Sequence, residues 1–111
     1  MSYESISPSE LAEKLRNGEK INLIDVREPV EFEIARIEAA TLLPLSRFRE
    51  WIDRLIAELD NEEETIVMCH HGVRSAHLCA FLEQNGVARV YNLEGGIDAW
   101  SADVDSSVPR Y

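Results

Sequence analysis

Three short runs of apolar and β-branched residues, each bounded by polar residues, recur along the chain. They read INLIDV at 21–26, TIVMC at 65–69 and RVYNL at 89–93. Short continuous apolar runs are typical of strands that are buried on both faces, as in a parallel sheet covered by helices. Two weaker runs, YESI at 3–6 and ATLLP at 40–44, are candidate edge strands. The pattern therefore predicts about five strands.

Segments with the apolar spacing of helices alternate with these strands. The stretch SPSE at 7–10 matches a capping box with proline in the first turn, and it predicts a helix over about residues 8–17. A second helix is predicted after a cap at Ser46, and a third from Ser75 to a stop at Gly86. Strands that alternate with helices predict an α/β fold: a three-layer α/β/α arrangement around a parallel sheet.

Length and composition indicate one globular domain. The 111 residues are 45% hydrophobic and 29% charged, and no repeat or internal linker interrupts them. We expect a single domain over residues 1–111, with a loosely held C-terminal tail from about 102 to 111. We also expect three side chains in the core, those of Trp51, Trp100 and Cys79.

Charge and the absence of targeting signals narrow the classes of function. The formal net charge is -10, from 21 acidic and 11 basic residues, which argues against a nucleic-acid or anionic-membrane partner. No basic segment followed by an apolar one begins the chain, and no apolar run approaches the length of a membrane span. We expect a cytoplasmic, monomeric protein with reduced cysteines.

The stretch CHHGVRS at 69–75 follows the strand TIVM and leads into the predicted third helix. Ligands of such sheets bind beyond the carboxyl ends of the strands, in loops of this kind. A free thiol is mostly protonated at neutral pH, and the thiolate is its nucleophilic form. Cys69 would face the N–H groups of a tight loop, the start of a helix and the guanidinium of Arg74, all of which stabilise an anion. The same cradle would hold an anionic substrate, or an extra sulfur on Cys69, without a metal or organic cofactor.

Two other chemistries suggested by these residue types fit the spacing poorly. A metal site built from Cys69, His70, His71 and His77 would need adjacent histidines to converge, whereas we expect them to diverge, and no further ligand pair completes a tetrahedron. Cysteine-dependent phosphatases place five residues between cysteine and arginine. Only four separate Cys69 from Arg74, so this loop encloses a smaller volume, which suits a sulfur atom better than a phosphoryl group.

Three segments, in this order and spacing, resemble the rhodanese family of single-domain sulfurtransferases. They are LIDVREPVEF at 23–32, VMCHHGVRSA at 67–76 and VYNLEGGIDAW at 90–100. The resemblance implies a five-stranded parallel sheet and a ping-pong reaction in which Cys69 takes a sulfane sulfur from a donor such as thiosulfate. The persulfide then passes that sulfur to cyanide or a thiol.

The resemblance also assigns roles to individual residues. Cys69 would be the nucleophile and Arg74 would order the loop. The anionic donor would be bound by loop N–H groups of His70, His71, Gly72, Val73, Arg74 and Ser75. Asp25 and Arg27 match family positions near the site, where they either contact substrate or form a structural ion pair. The paired Gly95 and Gly96 are expected to form a turn with unusual φ or to let the backbone approach the loop closely.

The chain departs from the family pattern at two places. ARIEAA at 35–40 stands where the family usually has Gly-His-Ile-Pro-Gly-Ala, so that turn should differ. His71 occupies a loop position where efficient thiosulfate users often carry a permanent cation, and a histidine is mostly neutral at pH 7. The donor is therefore expected to include protein or small-molecule persulfides as well as thiosulfate.

Three functions remain open on the sequence. The first is a sulfurtransferase of thiosulfate sulfurtransferase type, which works through a Cys69 persulfide with small sulfur donors and acceptors or protein ones. The second is a low-turnover sulfur carrier or regulatory module whose acidic surface docks a basic protein partner. The third is an arsenate reductase or phosphatase on the same fold, which the short loop disfavours.

Overall fold

The computed structural model describes residues 3–111, and strands alternate with helices along this part of the chain. The strands are β1 (Glu4–Ile6), β2 (Ile21–Asp25), β3 (Thr41–Leu42), β4 (Glu64–Met68) and β5 (Val90–Leu93). The helices are α1 (Pro8–Arg16), α2 (Pro29–Ile34), α3 (Phe48–Glu58), α4 (Val73–Gln84) and α5 (Gly96–Asp103), with a 3₁₀ turn at Leu45–Arg47 before α3.

All five strands join one parallel sheet in the order β1-β5-β4-β2-β3. The prediction of an α/β fold with a parallel sheet of about five strands is confirmed. β4 is the central strand, paired with β5 on one side and β2 on the other. It ends at Met68, so the next residue, Cys69, leaves the carboxyl edge at the middle of the sheet.

Alternate residues of the strands feed two separate cores. Leu23 and Ile66 face the layer that contains α1 and α5, whereas Ile24 and Val67 face the layer of α3 and α4. Because side chains alternate along a strand, each buried strand needs apolar residues at nearly every position. Burial of one such side chain contributes about 1.5–3 kcal/mol. Residues expected in the core and found there are Trp51, Trp100 and Cys79.

The predicted helices are present, with shifted boundaries. α1 begins with the expected capping box, in which Ser7 and Glu10 each accept the other's backbone N–H. The prediction that Ser46 caps α3 is wrong, because Ser46 lies in the 3₁₀ turn before that helix. Its hydroxyl donates to Glu28 Oε1 over 2.6 Å. α4 begins at Val73, two residues before the predicted start at Ser75.

Two helices were not predicted. α2 buries no residue, and the apolar residues in its sequence PVEFEI alternate with polar ones as in a strand, but Glu28, Pro29 and Glu31 form a capping arrangement that marks its start. α5 follows directly on the Gly95 turn and buries Ile97 and Trp100, which are three residues apart. That spacing is the signal from which α5 could have been found.

The segment after α5, which we expected to be loosely held, makes specific contacts with the domain. Val108 is buried, and its carbonyl accepts a hydrogen bond from the Ser101 hydroxyl. Arg110 donates twice to the carboxylate of Asp98, at 3.0 Å each. These contacts attach the segment Val108–Tyr111 to the domain. No helix in residues 3–111 has the length and apolar character needed to cross a membrane.

Candidate active site

Cys69 begins the loop between β4 and α4, and its side chain is buried with 1% exposure. Its sulfur accepts hydrogen bonds from two backbone N–H groups of the same loop, from Gly72 at 3.1 Å and Ser75 at 3.4 Å. Ser75 lies in the first turn of α4, so the sulfur is placed at a helix N-terminus as well. This arrangement stabilises a negative charge on the sulfur.

Gly72 makes this geometry possible through its backbone conformation. It caps α4 with a φ of +106°, a value that side-chain-bearing residues rarely adopt. The reversal turns the chain so that the N–H of Gly72 points back at the sulfur. Val73 follows with a side chain that is 67% exposed, so the loop has an apolar residue on its outer surface.

Asn92 supports the loop from the neighbouring strand β5 and was not among the predicted site residues. Its Nδ2 donates to the Gly72 carbonyl at 3.0 Å, which turns its Oδ1 toward the Ser75 hydroxyl at 2.5 Å. The Ser75 Oγ also lies 3.3 Å from the Cys69 sulfur. A hydroxyl has one proton, so Ser75 donates either to Asn92 or to the sulfur. The only sequence signal for Asn92 is a polar residue within the apolar run RVYNL.

The start of α5 holds the loop from the other side. The N–H groups of Ile97 and Asp98 donate to the carbonyls of Cys69 and His70, at 2.9 and 3.1 Å. A Cβ on Gly96 would collide with both of those carbonyl oxygens, and its φ is +60°. Both expectations for the paired glycines, an unusual φ and a close backbone approach to the loop, are confirmed.

Arg74 forms a bidentate ion pair with Glu31 of α2. Its Nη1 and Nη2 lie 2.8 and 3.0 Å from the two carboxylate oxygens. These hydrogen bonds lower the pKa of Glu31 to about 2 and raise the pKa of Arg74. Arg74 therefore ties the loop to α2, and its guanidinium is neutralised by Glu31, a partner that sequence reasoning missed.

The Glu31–Arg74 pair should make stability depend on acid pH. A carboxyl whose pKa is about 2 in the folded protein and near 4.5 otherwise stabilises the fold fully above about pH 5 and loses this contribution as the pH falls toward 2. Because Arg74 is 38% exposed, solvent screening reduces the effect. We expect the stability advantage of the wild type over Glu31→Gln, measured by urea unfolding, to shrink by about 1 kcal/mol from pH 7 to pH 3.

The matched control for that measurement is Glu13→Gln. Glu13 pairs with Arg16 on the surface of α1, and both side chains are more than half exposed. The stability advantage of the wild type over Glu13→Gln should be near zero at both pH values. A stability difference between the wild type and Glu31→Gln that does not change with pH would contradict the stabilising role of the ion pair.

Asp25 and Arg27 form a fully buried ion pair beneath the site. Both side chains have 0% exposure, and Arg27 Nη2 lies 2.7 Å from Asp25 Oδ2. The same guanidinium donates to the carbonyl of Ala35 at 2.6 Å and that of Glu31 at 3.2 Å. These contacts favour the structural interpretation of the pair over direct contact with substrate. They also tie the divergent 35–40 turn and α2 to the end of β2.

His70 and His71 do not diverge, so that step of the argument against a metal is wrong. Their rings stack with centroids 3.9 Å apart, and nitrogen atoms of both lie within 4.8 Å of a carboxylate oxygen of Asp98. Both oxygens of Asp98 accept hydrogen bonds from Arg110, however. The residues brought together here therefore form a poor tetrahedral set. Burial lowers the pKa of His70, and its Nε2 has no hydrogen-bond partner.

Comparison with known proteins identifies the family. The family model for the Rhodanese-like domain matches residues 7–103. The chain is 38% identical over 111 residues to the Rhodanese-like/PpiC domain-containing protein 12, chloroplastic, of Arabidopsis thaliana. The match covers 97% of this chain but 37% of that protein. The chain therefore spans about a third of the length of this curated relative.

Two smaller proteins match over most of their length. A protein named Sulfurtransferase from Allochromatium vinosum is 34% identical, and the match covers 86% of each chain. The crystal structure of a rhodanese-related protein from Thermoplasma volcanium superimposes with a TM-score of 0.77 at 32% identity, covering 92% of this chain and 94% of that one. With a family model that matches most of its length and a site loop at the expected edge of the sheet, this chain belongs to the rhodanese-like domain family.

Proposed function

We propose that the protein is a sulfurtransferase that carries a sulfane sulfur on Cys69 as a persulfide. The observation that carries the proposal is the Cys69 sulfur at the centre of the sheet edge, with the N–H groups of Gly72 and Ser75 directed at it. These donors stabilise a thiolate before the reaction, and the same loop would stabilise the negative outer sulfur of a persulfide after it. Relatives named sulfurtransferases support this chemistry.

The reaction has two displacement steps. The Cys69 thiolate attacks the outer sulfur of the donor, a Cys69–sulfur bond forms, and the donor's sulfur–sulfur bond breaks. Sulfite, from thiosulfate, or a thiolate, from a persulfide, leaves with the bonding electron pair. An acceptor thiolate or cyanide then attacks the outer sulfur, and Cys69 leaves as a thiolate. Electrons balance within each step, so no external oxidant is required.

Charge around the site favours a donor of low charge. Each of the three guanidinium groups described near the loop is paired with a carboxylate: Arg27 with Asp25, Arg74 with Glu31 and Arg110 with Asp98. A dianion such as thiosulfate would therefore meet neutralised cations and would depend on backbone N–H groups. A persulfide carries less charge to the site. We propose persulfides as the better donors and thiosulfate as a slower one.

Mass spectrometry after incubation with each donor tests this proposal. The peptide that contains Cys69 should gain one sulfur, about 32 Da, and lose it on reduction or on addition of a thiol acceptor. Loading from a small-molecule persulfide should be faster than loading from thiosulfate at the same concentration. Absence of the adduct with both donors would refute the proposed function. Hydrolysis of an aryl phosphate that Cys69→Ser abolishes would instead support the phosphatase alternative.

A second candidate is a low-turnover sulfur carrier that docks a basic protein. The specific observation is the outer surface of the loop, where Val73 is 67% exposed, and that of α2, where Val30 is 65% exposed. With a net charge of -10 around them, these apolar residues suit a protein partner with complementary charge. Fast thiosulfate:cyanide turnover by the isolated protein, unchanged by added partners, would argue against this candidate.

A further inference from the structure

The segment that follows α5 returns to the active-site loop and places Tyr111 against it. Two contacts guide the segment there: burial of Val108 and the ion pair of Arg110 with Asp98. The Tyr111 ring then stacks on the imidazole of His70, with centroids 3.9 Å apart and an angle of 8° between the planes. His70 directly follows Cys69, so Tyr111 packs on the first side chain of the loop beyond the nucleophile.

The hydroxyl of Tyr111 joins two ion pairs of the site. It lies 2.8 Å from Arg27 Nη1 and 2.8 Å from Glu31 Oε2. A guanidinium only donates hydrogen bonds, so the hydroxyl accepts from Arg27 and its single proton goes to Glu31. Arg27 belongs to the buried pair with Asp25, and Glu31 binds Arg74 of the loop. The hydroxyl therefore connects the end of β2, α2 and the loop in one network.

We propose that Tyr111 is a positioning residue for the Cys69 loop. It acts from two directions: the ring stacks on His70 at the start of the loop, and the hydroxyl orients Glu31, which holds Arg74 near the end of the loop. Its effect on sulfur transfer rests on the proposed function. Its effect on the order of the loop does not, because that follows from contacts alone.

Two substitutions separate the contributions of the ring and the hydroxyl. Tyr111→Phe keeps the stacking and removes both hydrogen bonds, whereas Tyr111→Leu removes both kinds of contact. Amide hydrogen exchange of the peptide that spans residues 69–76 should accelerate about fivefold in Tyr111→Phe, and more in Tyr111→Leu. Fivefold is the factor for one ordinary hydrogen bond, because of the two lost bonds only the one to Glu31 acts on the loop through Arg74. Amide exchange in β1 and α1 should stay as in the wild type, whereas a general loss of stability would accelerate exchange there as well.

Sulfur loading of Cys69 provides the second readout. We expect kcat/KM for a persulfide donor to fall by a similar factor in Tyr111→Phe, while the urea midpoint changes little. The matched control is Tyr91→Phe, a half-buried tyrosine of β5 outside the loop, which should leave both readouts unchanged. If Tyr111→Leu does not fold, Tyr111→Phe alone decides the question.

The two proposals fail in different ways. Wild-type exchange in the 69–76 peptide of Tyr111→Phe and Tyr111→Leu would overturn the positioning role, whatever the protein does with sulfur. Faster exchange in both variants, combined with no sulfur adduct in the wild type, would support the positioning role and refute the sulfurtransferase. Equal acceleration in Tyr91→Phe would also overturn the role, because the effect would then not be specific to Tyr111.

Discussion

Cys69→Ser should abolish sulfur loading, whereas Cys79→Ser should load sulfur as the wild type does. The serine hydroxyl can keep the hydrogen bonds of the loop but is a far poorer nucleophile toward sulfur than a thiolate. We expect the transfer rate to fall on the order of a thousandfold or more, to the background of the uncatalysed reaction. Mass spectrometry of the whole protein measures sulfur loading, and a discontinuous sulfur-transfer assay measures the transfer rate.

Cys79 is a matched control because it differs from Cys69 in environment and not in chemistry. It is fully buried in α4, and burial together with the nearby Cys69 raises its pKa to about 12. A thiol with this pKa is protonated at neutral pH and is therefore a poor nucleophile. A sulfur adduct that survives in Cys69→Ser, or that disappears in Cys79→Ser while the protein stays folded, would show that the wrong thiol has been assigned.

Gly96→Ala should destabilise the protein by about 3–5 kcal/mol and disorder the loop. The added methyl group would collide with the carbonyl oxygens of Cys69 and His70, which are backbone atoms that cannot move aside as a flexible side chain would. The positive φ of Gly96 adds a further cost for alanine. Relief of the collision would move α5 away from the loop and weaken the two hydrogen bonds that α5 donates to it.

Gly86→Ala isolates the steric part of this effect. Gly86 also has a positive φ, +86°, but a Cβ there would meet no atom within 4 Å. Only the conformational cost remains, about 1–2 kcal/mol. Urea unfolding compares the two variants, and hydrogen exchange of residues 69–76 reports on the loop. Similar losses of stability in both variants would contradict a tight contact between Gly96 and the loop.

The central part of the fold was predictable because its elements are defined by local pattern. The apolar runs that became β2, β4 and β5 have to be buried on both faces, and the periodic segments between them have to cover the sheet. α2 escaped prediction for the opposite reason, since it buries nothing and its apolar residues alternate with polar ones, a pattern that indicates a strand more than a helix. α5 was hidden behind its two glycines, which indicate a turn more strongly than they indicate the helix that follows.

The residues of the site likewise divide into those that local sequence predicts and those that it does not. Cys69, Gly72, Arg74 and Ser75 belong to one contiguous loop, so their spacing alone predicts a cradle for an anion. The residues that support the loop come from distant parts of the chain: Glu31 is 43 positions from Arg74, and Tyr111 is 80 positions from Glu31. Nothing in the local sequence pairs such residues. The His70 ring, which stacks on its neighbour His71, likewise stacks on Tyr111, a residue 41 positions away.

The contact between α5 and the loop limits how the loop can change in evolution. Backbone N–H groups of Ile97 and Asp98 bind the carbonyls of the first two loop residues, and Gly96 leaves no free space beside them. An inserted residue that would enlarge the loop to phosphatase size would have to bulge away from α5 or displace it. A change of substrate from a sulfur atom to a phosphoryl group would therefore require compensating changes in a second, distant segment. Loop length and the start of α5 should have evolved together.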